Sequence, residues 1–220
     1  MHILLMGDSW SYSVPQRVGH LQPLNVENKL FSMGHIVFNK SIYGGANSLT
    51  LATGETLVDS TKKMFQIDLV IWFHTELLRD RFDIVTPTYD YNEYLEAIHK
   101  DTIKKVMRLR AKTPNAKWAI IGGHAPLYKP KDYDWAEFKI DDWRAELLGV
   151  PLPPCQSLGY QLWLNDHRDV FGSDVVYEEQ YKYNMISSLC ESNKDKFYDG
   201  IHPSFTHCSD LTTKIINNLF

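Results

Sequence analysis

The chain has 220 residues, a net charge of −4, 44% hydrophobic residues and 13% aromatics. That length is enough for one large domain or two small ones, with a core that needs no disulfide or metal to hold it. The acidic balance and scattered basic residues argue against a nucleic-acid partner or an anionic membrane surface, and no apolar run is long enough to span a bilayer.

Residues 2–7 (His-Ile-Leu-Leu-Met-Gly) form a short apolar run with no basic flank and no cleavage site, so they read as a buried strand rather than a signal peptide. A cytoplasmic location is the expectation. Three distant cysteines, Cys155, Cys190 and Cys208, agree with it, because they have no paired spacing for zinc or thiol redox chemistry. A polar loop with Pro15 and Pro23 follows. Residues 25–32 predict a short helix with Val26, Leu30 and Phe31 on one side, closed by Gly34. Residues 36–42 predict a second strand, which Gly44-Gly45 breaks. Asn47 or Ser48 is then placed to cap a helix reaching about residue 64.

Residues 68–73 (Asp-Leu-Val-Ile-Trp-Phe) are the clearest buried strand. After a loop with Pro87, residues 92–111 carry Leu95, Ile98, Val106 and Leu109 on one helical stripe, widened by Ile103 and Met107. A fourth strand at 117–122 ends in Gly122-Gly123. Residues 125–166 then form an irregular, aromatic-rich insertion, with a short helix expected at 141–148 and a fifth strand at 157–164. Residues 176–193 read as helix, and a last helix at 206–219 puts Leu211, Ile215 and Leu219 on one face. Strands alternating with helices imply an α/β domain, a parallel sheet covered on both faces, with sites beyond the carboxyl ends of its strands. Ser9, Gly44, His74-Thr75-Glu76 and His124 all follow strand ends.

A serine hydroxyl becomes a nucleophile only when a base takes its proton, and a carboxylate that fixes the base's tautomer completes the unit. Ser9 in Gly7-Asp8-Ser9-Trp10 follows the first strand, and Asp199-Gly200-Ile201-His202-Pro203 supplies acid and base on one turn near the other end. Each stretch also has a plainer reading: a turn serine capping the next helix, a simple Asp-Gly turn, and His202 capping the last helix. Gly44-Gly45 is either an oxyanion-binding turn, where a side chain would block the approach, or an ordinary strand-ending turn. A nucleotide-binding loop is disfavoured, since neither its glycine spacing nor its Gly-Lys-Ser/Thr follows. No histidine spacing suggests a metal site.

In this order and spacing the blocks resemble the SGNH hydrolase family, the GDSL esterases and lipases. Gly7-Asp8-Ser9-Trp10 is similar to its first block, Ser41-Ile42-Tyr43-Gly44 to its second and Asp199-Gly200-Ile201-His202 to its last. The resemblance spans nearly the whole chain. It implies a flavodoxin-like three-layer α/β/α sandwich over residues 1–220, no metal or other cofactor, and hydrolysis of a small-molecule or saccharide ester. Ser9, Asp199 and His202 would be catalytic, with Ser9, Gly44 and Thr75 around the oxyanion. Asp8, Trp10, Asn47, His74, His124 and Trp135 are the candidates for substrate contact. One block departs: the family's Gly-x-Asn-Asp corresponds to Phe73-His74-Thr75-Glu76, so Thr75 stands in for an asparagine donor. That departure sets up the alternative, a binding module that kept the fold and lost turnover.

Overall fold

The computed structural model describes residues 1–11, 25–80, 90–153, 158–197 and 202–220. In chain order the elements are β1 His2–Met6, α1 Val26–Ser32, β2 Ile36–Asn39, α2 Asn47–Thr61, β3 Leu69–His74, α3 Tyr91–Lys112, β4 Lys117–Gly122, β5 Phe138–Ile140, α4 Trp143–Leu148, α5 Leu158–Asp166, α6 Arg168–Phe171, α7 Ser173–Glu191 and α8 Phe205–Leu219. The strands pair in the order β2-β1-β3-β4-β5, every pairing parallel. This is the flavodoxin-like arrangement, whose ligand sites lie beyond the carboxyl ends of the strands.

Alternation along the strands divides the core into two layers. Ile3, Leu5, Ile71, Phe73 and Ile121 face α1, α7 and α8, while Leu4, Met6, Val70, Trp72 and Ile120 face α2 and α3. Continuous apolar strands are what a sheet buried on both faces requires. A third apolar cluster joins the start of α3 to α5, α6 and α7 through Tyr94, Leu95, Leu164 and Phe171. No described helix is long and apolar enough to cross a membrane.

The expected elements are present, with differences that have physical causes. Residues 158–166 form α5 rather than a fifth strand, because Gln161 and Leu164 are buried three apart while Leu162 between them is exposed. The fifth strand is Phe138–Ile140, drawn from the insertion. Phe31 lies outside the apolar stripe of α1, half exposed. The strand segment at 36–42 narrows to β2, yet Lys40 N–H and Ile42 N–H still donate to Leu5 O and Gly7 O at 2.7 and 2.9 Å. Neither Asn47 nor Ser48 caps α2. Instead the Asp80 carboxylate accepts from Asn47 N–H at 3.0 Å and Ser48 N–H at 2.6 Å, a long-range cap that also suits the positive end of the helix.

Candidate functional site

The turn after β1 is tightly held. Ser11 N–H donates to Asp8 O at 3.2 Å, Ser11 Oγ donates to the same oxygen at 3.0 Å, and the Asp8 carboxylate accepts from Trp10 N–H at 3.0 Å. Gly7 makes the turn possible. Its φ is +148°, and a Cβ there would lie 2.6 Å from Phe73 Cβ and 2.9 Å from Phe73 O. Among the described residues Ser9 takes part in no hydrogen bond, and it is partly exposed beyond the strand's carboxyl end. The rest of the turn is therefore fixed while the Ser9 hydroxyl stays available.

A buried charge chain anchors this turn to β3. Arg79 contacts the Asp8 carboxylate at 3.4 Å and donates through Nε to Glu76 at 2.8 Å, and Glu76 lies 3.4 Å from His124 Nε2. Burial opposes the Arg79 charge, but Glu76 and Asp8 more than offset it and raise its pKa. The opposite charges three apart around Leu77-Leu78 were the readable signal for this pair, which pattern reading passed over. Asp8 is thus an anchor of the turn, almost wholly buried, rather than a surface that meets ligand.

The neck of the last loop packs against the same turn. Asp199 lies outside the described residues. His202 is described, at the neck of that loop: Phe197 and Pro203 form an antiparallel bridge, and Ser204 N–H donates to Lys196 O at 2.7 Å. The Phe197 ring packs 6.3 Å from Trp10, which also meets Trp143 at 5.5 Å and His124 at 6.2 Å. Trp10 and Phe197 therefore join the serine turn to the base of the histidine loop. The N-cap of α8 is Ser204, so His202 does not cap it.

Gly44 sits in the turn that follows β2, beside Gly7 through the bond from Ile42 N–H to Gly7 O. Its φ is +65°, and a Cβ built there would meet nothing within 4 Å. Glycine is required here by backbone conformation rather than by crowding within the protein. No described group accepts from Gly44 N–H.

Thr75 is held by Asn47 on both sides. Thr75 N–H donates to Asn47 Oδ1 and Asn47 Nδ2 donates to Thr75 O, both at 3.0 Å. The Thr75 hydroxyl is buried without a partner among the described residues. Asn47 thus positions Thr75 instead of reaching for ligand. His74 points to the other layer, packing on Trp72 at 5.3 Å and Tyr133 at 6.0 Å. Trp135 is not brought to the site. It packs at 5.5 Å on Trp118, near the amino end of β4, with Arg110 stacked over its ring. No group of three or more metal-binding side chains occurs among the described residues.

Burial pushes His74 down to about 3, with His99 acting in the same direction, and pushes His124 down to about 4 against the pull of Glu76. Both are neutral near pH 7. When unfolded, each takes a proton near pH 6.5, so below that pH the unfolded chain binds more protons than the folded one. Stability should therefore fall as pH drops from 6.5 towards 4, by up to about 1.4 kcal/mol per pH unit per histidine. Urea titrations across this range check it, and His124→Gln should flatten the slope. An unchanged slope would mean that His124 is protonated in the folded protein.

No protein-family model and no curated protein matches the chain. The fold is a flavodoxin-like α/β/α sandwich, with Ser9 in the turn after β1 and Phe197, at the neck of the loop before α8, packed against that turn through Trp10. Solved structures similar to it include esterases and lipases, one titled a putative GDSL-like lipase and one an SGNH-hydrolase family esterase. TesA is 18% identical, covering 100% of this chain and 98% of its own, with a TM-score of 0.46. The acetyl xylan esterase AlAXEase is 14% identical, covering 100% of both, with a TM-score of 0.47. An SGNH-hydrolase family esterase, AlinE4, is 16% identical over 76% of this chain and 93% of its own, with a TM-score of 0.40.

Proposed function

We propose that the chain is a serine-dependent ester hydrolase working through an acyl-enzyme. Ser9 attacks the acyl carbonyl as His202 takes its proton, and Asp199 holds the imidazole in the required tautomer. His202 then returns the proton to the leaving alcohol, and water, activated in the same way, releases the acid. The observation that carries this reading is the contact of Phe197 with Trp10, which sets the neck of the His202 loop against a turn whose serine hydroxyl is unengaged. The N–H groups of Ser9 and Gly44 are the oxyanion donors in this reading, since both follow strand ends and neither is engaged by a described acceptor. A fluorophosphonate probe, which needs an activated serine, tests it. Labelling at Ser9 is expected, and a folded protein that resists the probe is instead the non-catalytic binding module.

The third donor is the weak point. Asn47 is occupied by Thr75, and a threonine hydroxyl is shorter than an asparagine amide. One oxyanion donor typically contributes roughly 10²–10³ in kcat. Thr75→Asn should raise kcat on an activated acetyl ester with little change in KM, because the added bond forms mainly in the transition state. Single-turnover acylation of wild type, Thr75→Asn and Thr75→Val decides it. If the valine variant equals wild type and the asparagine variant gains nothing, the Thr75 side chain faces away from the reaction.

A further inference from the structure

Beyond the carboxyl ends of β3 and β4 lies a cavity of about 770 Å³, enclosed by the start of α3, residues 125–130, α6 and the first turns of α7. Its size is within the range of small-molecule sites. It opens to solvent: in its wall Asp90, Asn92 and Glu178 are exposed, and Tyr91 and Tyr128 are half-buried. A ligand can therefore reach these side chains without any rearrangement.

Charge in this wall is unevenly balanced. Among the described lining residues there are four carboxylates, Glu76, Asp90, Glu178 and Glu179, and two lysines. Lys182 is shared by Glu178 at 2.6 Å and Glu179 at 3.1 Å, so one cation answers two anions on α7. Lys129 is paired with Glu96, outside the wall, and leaves no positive charge over. Glu76 is held by Arg79, which is itself shared with Asp8. The Asp90 carboxylate caps α3 by accepting from Glu93 N–H at 3.0 Å, and no described cation pairs with it. The excess is negative, and a cleft with low-dielectric walls concentrates such a field on whatever enters it.

We propose that this cavity binds an organic monocation, an ammonium group carried on an apolar body. The negative excess disfavours an anion and gives a neutral molecule no advantage. A bare metal ion needs several converging ligands, and no group of three or more metal-binding side chains occurs among the described residues. The rings suit an alkylated ammonium instead. Tyr91 and Phe171 lie edge-on to each other at 5.8 Å in the wall, and Tyr128 adds a third ring. Aromatic faces attract such a cation, while Leu95, Val170 and Val175 offer apolar surface to its carbon body. The Lys129 ammonium already lies 5.9 Å from the centre of the Tyr128 ring, so the wall itself uses this pairing. Glu76 joins the cavity wall to the charge chain that ends at Asp8, next to Ser9. A role for the cation as part of an ester substrate rests on the esterase reading, whereas binding itself does not.

Calorimetric titration with choline tests the proposal. Neohexyl alcohol is the control, because it has the same shape with a carbon in place of the charged nitrogen. Choline should bind at millimolar concentration, and the neutral isostere about tenfold more weakly or not at all. Added salt should weaken choline binding. Glu178→Gln leaves Lys182 balanced by Glu179 alone, and Asp90→Asn removes the charge at the start of α3. Together they should weaken choline about tenfold. Both variants should fold, since Glu178 is exposed and asparagine caps a helix as well as aspartate does. The proposal is overturned if choline does not bind, if the isostere binds equally well, or if the double variant binds choline like wild type. Fluorophosphonate labelling of wild type separates the two readings. Labelling without choline binding overturns the cavity assignment alone, and choline binding without labelling overturns the esterase alone.

Discussion

Ser9→Ala should abolish hydrolysis of an activated acetyl ester and leave the protein folded. Loss of a serine nucleophile that acts with a histidine and an acid costs on the order of 10⁶ in kcat. Stability should hardly move, because the Ser9 hydroxyl makes no hydrogen bond among the described residues. The turn is fixed by its neighbours: the Asp8 carboxylate on Trp10 N–H, and Ser11 on Asp8 O. A partly exposed hydroxyl with no partner contributes within about 0.5 kcal/mol. Ser11→Ala is the contrasting control, since it removes a buried bond that shapes the turn. Turnover on the acetyl ester and the melting temperature of both variants check the separation of roles. A folded Ser9→Ala protein with undiminished turnover would end the esterase proposal.

The layers of the fold were legible because each strand announces itself locally. The runs at 2–7, 68–73 and 117–122 are apolar at successive positions, as a strand buried on both faces must be, and glycines close two of them. Residues 157–164 were harder. They are short and apolar at several positions, so period alone does not separate a strand from a buried helix. The fifth strand, Phe138–Ile140, has only three residues and is defined by its register beside β4, which no local pattern encodes. At the proposed site, Ser9 and Gly44 stand out in the sequence as motif residues near strand ends. The groups that orient them could not, because their partners are distant in sequence. Asp8 meets Arg79, Asn47 meets Thr75, and Asp80 caps a helix that begins 33 residues earlier. Trp135 illustrates the opposite failure. Its place in an insertion after a strand end suggested the site, yet the chain returns to the amino end of β4 before placing it.

Arg79→Leu should destabilise the protein strongly. Arg79 is nearly buried and is the cation shared by two carboxylates that are more deeply buried still, Asp8 and Glu76. Removing it leaves both without their main counter-charge, and breaking a buried pair in this way costs about 3–5 kcal/mol. In a chain of this size that lowers the melting temperature by roughly 6–20 °C. Arg79→Lys should recover part of the loss, since a point charge replaces the fork but cannot span both partners as well. The deficit should also shrink in acid. Arg79 helps to hold the His124 pKa down while Glu76, 3.4 Å away, raises it. Without Arg79, His124 should take a proton more readily and become the counter-ion of Glu76, and protonation of either carboxyl removes the unpaired charge. The difference between wild type and Arg79→Leu should accordingly be larger at pH 8 than at pH 5, although wild type itself loses stability towards pH 5. On the esterase proposal turnover should fall with it, because Asp8 released from Arg79 no longer fixes Trp10 N–H beside Ser9. Melting curves for the three proteins at both pH values provide the test. If Arg79→Leu melts with wild type at pH 8, the Glu76–Arg79–Asp8 chain does not stabilise the fold, and the serine turn must be held by its own hydrogen bonds alone.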